Sequence, residues 1–164
     1  MRTRDTSAEL DRAYAIVRTV RPKARPDYAC MLVASALAGM RGLTMRHIRV
    51  GSLFWPAKFA KLDPGLSMRG GWGCEAFSHA DNKLYLSEPT VDDDGGFNGH
   101  TWLEPEPHEV IDLMHDNESS LREIMDDDWK IVGRYIYRPD LERAVKAHWR
   151  ATMQALIKKG REQA

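Results

Sequence analysis

The chain has 164 residues, enough for one domain with a full hydrophobic core. Apolar residues make up 43% of it and charged residues 29%, an ordinary balance for a globular protein. Lysine plus arginine number 24 and aspartate plus glutamate 24, so no net charge draws the chain to a polyanion and no nucleic-acid partner is expected.

The start, MRTRDTSAELDRAYAIV, is basic but has no continuous apolar stretch, so it does not read as a signal peptide. No apolar run approaches the length of a membrane span, and no membrane partner is expected. Cys30 and Cys74 form neither a disulfide framework nor a close zinc pair, and the expected compartment is the cytoplasm with reduced thiols. There is no internal repeat, so residues 1–164 are read as a single domain.

A first helix is expected over residues 7–20. Thr6 and Glu9 have capping-box spacing, and Leu10, Ile16, Val17 and Val20 fall near one face. The prolines of RPKARPD break the chain. Asp27 then caps a second helix, YACMLVASALAGM, apolar on nearly all sides and therefore central and buried. Gly39 and Gly42 end it. HIRVGSLFW has the β-branched and aromatic content of a strand.

Residues 56–73 read as irregular, with Pro64, Gly65, Gly70 and Gly71 among them. CEAFSHA and KLYLSE read as a hairpin turned at Asp81 and Asn82. SEPTVDDDGGFNG is a long acidic loop, suited to covering a site that follows it. A hairpin follows, GHTWLEPEPHEVIDL, then a short helix from near Asn117 or Ser119 and a strand, KIVGRYIY. A last helix starts at Pro139 or Asp140. It carries Leu141, Val145, Trp149 and Leu156 on one stripe and ends at Gly160. Two helices, several antiparallel strands and a helix make an α+β fold rather than an alternating parallel one.

The hairpin puts a titratable group on each arm. Centred on Glu106, it sets His100 opposite Asp112 with Cβ atoms about 5 Å apart. Trp102 then faces Val110, while Leu103 and Ile111 point the other way. A carboxylate beside a histidine fixes the tautomer and stabilises the imidazolium, so the other ring nitrogen can exchange a proton with a nucleophile. The plainer alternative is a surface cross-strand pair that only supports the sheet. Cys30, near the start of the buried helix, feels unpaired backbone N–H groups and the positive end of the helix dipole, both of which favour a thiolate. A free cysteine is also a common apolar core residue, and Cys74 in GWGC competes for the role.

Other constellations are weaker. His100, His108, Asp112 and His115 fit no strong metal-ligand spacing. DDDGG lacks the alternating ligands of a calcium loop, and GGWG at residues 70–73 lacks the lysine and the helix of a phosphate loop. Trp55 and Trp72 fit a cleft lining or the core.

A cysteine on a central helix, then a strand, then HTW and VIDL on successive strands resembles the transglutaminase-like superfamily with its papain-like core. CMLVASALAGMRGLTMRHIRVGSLFW, GHTWLE and EVIDL carry the resemblance, which covers roughly residues 27–113. It implies a central helix on an antiparallel sheet with a core of about residues 27–138, and it leaves the two terminal helices that flank this core unaccounted for. It implies Cys30 as nucleophile, His100 as base and Asp112 as orienting acid, with no cofactor. The implied reaction is acyl transfer on a peptide, protein or small amide or ester substrate, by hydrolysis, deamidation or transamidation. The chain departs from the family pattern in the distance from Cys30 to Gly42, about one helical turn shorter. That departure favours the rival reading, a catalytically inactive copy of the fold that binds a protein partner.

Overall fold

The computed structural model describes residues 4–23, 29–53, 68–69, 76–78, 83–85, 88–113 and 135–163. The apolar stripes of the sequence become three helices. Helix α1 (Arg4–Val20) buries Leu10, Ala13, Ile16 and Val17 along one side. It begins upstream of Thr6, which therefore lies inside the helix and is not its cap. No proline or glycine at residues 4–6 stops the turn from propagating.

Helix α2 (Ala29–Met40) is the centre of the structure. Every residue from Met31 to Ala38 is buried, as a helix apolar on nearly all sides requires, and the one polar side chain among them, Ser35, donates to the Met31 carbonyl. Asp27, the expected cap, lies outside the described residues. Gly42 ends the helix at φ 71, where the Leu43 N–H bonds the Ala38 carbonyl and the Gly42 N–H bonds the Gly39 carbonyl. These two bonds are a Schellman closure, and the left-handed backbone between them favours glycine.

Gly39 does not terminate α2, and Gly160 does not terminate helix α3 (Pro139–Glu162). They are where the two helices touch. A Cβ on Gly39 would lie 2.0 Å from the Ile157 carbonyl oxygen, and one on Gly160 would lie 2.2 Å from that of Ala36. The expected terminators are thus contact points that let two backbones approach. Helix α3 starts with Pro139 at its head and buries Leu141, Val145, Trp149, Met153, Leu156 and Ile157.

A short 3₁₀ turn, Met45–His47, leads into strand β1 (Ile48–Leu53). Strands β2 (Met68–Arg69), β3 (Ala76–Ser78) and β4 (Lys83–Tyr85) form one small antiparallel sheet in the order β2-β3-β4. The hairpin expected from CEAFSHA and KLYLSE is present, with Phe77 facing Leu84, while its turn lies outside the described residues. Strand β2 falls in the stretch read as irregular, because two residues are too short to show an alternation.

The main sheet contains β1, strand β5 (His100–Leu103) and strand β6 (Tyr135–Tyr137), in the order β5-β1-β6 with antiparallel neighbours. The architecture is α+β. Ile48, Val50 and Leu103 join the three helices in one core. By strand alternation His100 and Trp102 point away from Leu103, onto the face shared with Gly51 and Tyr135. Val50 also takes part in the closure of the sheet end. Its N–H bonds the buried Glu142 carboxylate at 3.1 Å, and its carbonyl accepts from the Arg138 N–H. Among the described residues no helix is long and apolar enough to cross a membrane.

The acidic loop before His100 is a pinned turn rather than a free cover. Val91 and Phe97 bridge its arms, and Asp92 accepts the Gly96 N–H at 2.7 Å. The Trp149 indole N–H donates to the Gly95 carbonyl at 2.8 Å and ties the tip to α3. The helix expected near Asn117 or Ser119, and residues 130–134 of the last expected strand, lie outside the described residues.

Candidate active site

Strand β5 leaves Leu103 and turns back at Pro107 and His108. The Glu109 N–H bonds the Glu106 carbonyl at 3.0 Å, with Pro107 at the second turn position and His108 at the third with φ 66. Proline pre-sets the second position of a turn, and a positive φ at the third gives it the shape of a type II turn. The turn is therefore centred beyond Glu106. Leu103 and Ile111 exchange both backbone hydrogen bonds at 2.9 Å and form the bridge.

This register differs by two residues from the one expected. Asp112 comes opposite Trp102, and it reaches His100 along a diagonal. A slip of two keeps every side chain on its own face, because the strand period is two. The pair consequently survives the changed register: His100 Nε2 lies 2.6 Å from Asp112 Oδ2, and both residues are buried. The plainer reading, an exposed cross-strand pair, is set aside by that burial.

Asp112 Oδ2 has a second donor. The Tyr135 hydroxyl, from β6, donates to the same oxygen at 2.6 Å. Tyr135 pairs with Leu53 of β1, on the sheet face that also carries Gly51. A Cβ on Gly51 would come within 2.7 Å of the Trp102 ring. Trp102 and Tyr135 pack with ring centroids 5.0 Å apart, and His100 stands 6.1 Å from Tyr135 and 6.3 Å from Trp102. The carboxylate is thus enclosed by three rings, two of which donate to it. Trp102 Nε1 is buried and has no hydrogen-bond partner among the described residues.

Cys30 is the second residue of α2, in the first turn, where backbone N–H groups lack helical partners. It is a buried free cysteine. Its side chain lies close enough to His100 to act on the ring's protonation. Burial alone would push the His100 imidazole down, but the charge and hydrogen bond of Asp112, joined by those of Cys30, outweigh it and raise the pKa from 6.5 to about 10. The Asp112 carboxylate thereby favours the imidazolium form of the ring.

Cys30, His100 and Asp112 are brought together. His108 stands exposed in the turn, away from that group. Cys74, Trp55, Trp72, His115 and residues 70–73 lie outside the described residues. Among the described residues no three histidine, cysteine, aspartate or glutamate side chains converge as metal ligands would. Two members of the site were missed from the sequence, Tyr135 and Gly51. The alternation in YIY marks Tyr135 and Tyr137 as sharing a face, but nothing local says which strand that face overlooks. No protein-family profile, no curated protein sequence and no solved structure matches this chain.

Proposed function

We propose that this chain is a cysteine-dependent acyl-transfer enzyme with a transglutaminase-like, papain-like core. Cys30 is the nucleophile, His100 the proton carrier and Asp112 the group that orients and charges His100. The observation that carries the reading is the buried pair of His100 Nε2 and Asp112 Oδ2 at 2.6 Å, with Cys30 as the other partner of the ring.

The step follows from these positions. The Cys30 sulfur attacks an amide or ester carbonyl carbon and the carbonyl bond opens to a tetrahedral oxyanion, which unpartnered N–H groups of the first turn of α2 would stabilise. With Nε2 committed to Asp112, Nδ1 of His100 delivers its proton to the leaving nitrogen or oxygen as the carbon–heteroatom bond breaks. A thioester on Cys30 remains. Water or an amine then attacks it, giving back its proton to His100 and restoring the sulfur.

The rival reading is a non-catalytic binding protein on the same fold. It is favoured by the near-complete burial of the group, Cys30 being 7% exposed and His100 0%. One experiment separates the two. The protein is treated with iodoacetamide and, separately, with an activated ester, and the modified residue is located by mass spectrometry. The catalytic reading expects Cys30 to react faster than Cys74 near neutral pH and to carry a transient acyl group. A Cys30 that is inert until denaturant is added would overturn that reading and leave the binding protein.

A further inference from the structure

We propose that Tyr135 is a positioning residue of this site: by donating to the same Asp112 oxygen that His100 uses, it holds the carboxylate in place and draws off part of its negative charge, which makes the His100 imidazolium a readier proton donor. The inference rests on the acyl-transfer reading for its use, but the coupling itself stands on geometry alone.

Both bonds to Asp112 Oδ2 are 2.6 Å, and both partners come from outside the segment that carries Asp112. One oxygen shared by two donors gives each less charge than it would give a single one. The two donors therefore compete, and strengthening one weakens the other. Loss of the phenol hydroxyl returns that charge to His100. The ring then binds its proton more tightly and gives it up less readily to a leaving group.

Among the described residues, the titratable and charged groups that face His100 are Cys30 from α2, Asp112 from the segment after β5, and Tyr135 from β6. Strand β1 presents Gly51 directly opposite His100. Arg49, the next β1 residue on that face, turns to Glu104 and Glu142 and lies over the Tyr137 ring. Of the groups named, Tyr135 alone acts on His100 through Asp112 and leaves the nucleophile untouched. A ring without its hydroxyl keeps the packing on Trp102, so the donor and the shape can be tested apart.

The experiment compares the full chain with Y135F. The His100 ring is followed by NMR through its titration, and Cys30 alkylation by iodoacetamide is followed over the same pH range. The expected result is a folded Y135F whose His100 midpoint lies higher by roughly half to one pH unit, with the alkylation profile displaced in the same direction. An unchanged midpoint in folded Y135F overturns the proposal. A raised midpoint in a chain whose Cys30 is inert supports the coupling and overturns the acyl-transfer reading instead. Should Y135F not fold, the unaltered protein decides through a ¹³C label at Tyr135 Cζ. That signal is expected to move with the His100 midpoint, and a signal that stays flat through the His100 titration overturns the proposal.

Discussion

His100 and Asp112 meet on a diagonal: their atoms are 2.6 Å apart although Leu103 and Ile111 form the backbone bridge that aligns the two arms. Diagonal neighbours on one sheet face lie farther apart at Cβ than direct ones, yet long side chains close the gap. The contact depends on side-chain reach as well as on register.

Replacing Asp112 by asparagine tests that contact. The amide keeps the shape and an acceptor but removes the charge that holds the imidazolium. The expected outcome is a folded protein, destabilised by about 1–3 kcal/mol, in which Cys30 alkylation is slowed on the order of tenfold or more. Circular dichroism checks the fold and mass spectrometry the rate. Alkylation at the wild-type rate would remove Asp112 from the mechanism.

Stability should fall as pH rises from about 6.5 to 10. The folded protein keeps the His100 proton up to about pH 10, whereas an unperturbed imidazole loses it near 6.5. In that window the folded state binds more protons than the unfolded one, so raising the pH favours unfolding. The contribution is complete below about 6.5 and lost above about 10. Urea unfolding at several pH values measures it, and His100→Gln should flatten the slope. The same slope in both proteins would place the titration elsewhere.

The approach of α2 to α3 is tested by adding single methyl groups. Gly39→Ala and Gly160→Ala each push a Cβ into backbone of the other helix, at 2.0 and 2.2 Å. Each substitution should destabilise by about 1–3 kcal/mol or more. The double variant should differ from the sum of the two, because both act on one contact. Denaturant midpoints that stay put would show that the helices separate without cost.

Glu142 provides a further check on the sheet end. Its carboxylate accepts the Val50 N–H and the Tyr137 hydroxyl, and Arg49 and Lys146 lie within 3.6 Å of it. Glu142→Ala strands these donors, and a loss of about 1–3 kcal/mol is expected. Glu142→Gln keeps an acceptor and should lose less. Hydrogen exchange at the Val50 amide should quicken in the alanine variant and distinguish local opening from a general loss of stability.

The helices were legible in the sequence because burial along them follows a local period. Leu10, Ile16 and Val17 of α1, the nearly all-apolar α2, and Leu141, Val145, Trp149 and Leu156 of α3 lie buried where the pattern put them. Gly42 was legible too, since a left-handed closure is a property of the few residues around it. The face shared by His100 and Asp112 was equally local, because alternation survives any even shift of register.

Contacts made at a distance were not legible. Gly39 and Gly160 look like helix ends, and only the packing of one helix on the other makes them a point of approach. Tyr135 follows Asp112 by 23 positions in the chain and comes from another strand, so no spacing joins it to that carboxylate. The acidic turn reads as a free loop until Trp149 of α3 is seen to bind its tip. Local periodicity and turn chemistry follow from neighbouring residues alone. Which glycine is crowded, which hydroxyl meets which carboxylate and which loop is pinned depend on elements the chain brings together only when it folds.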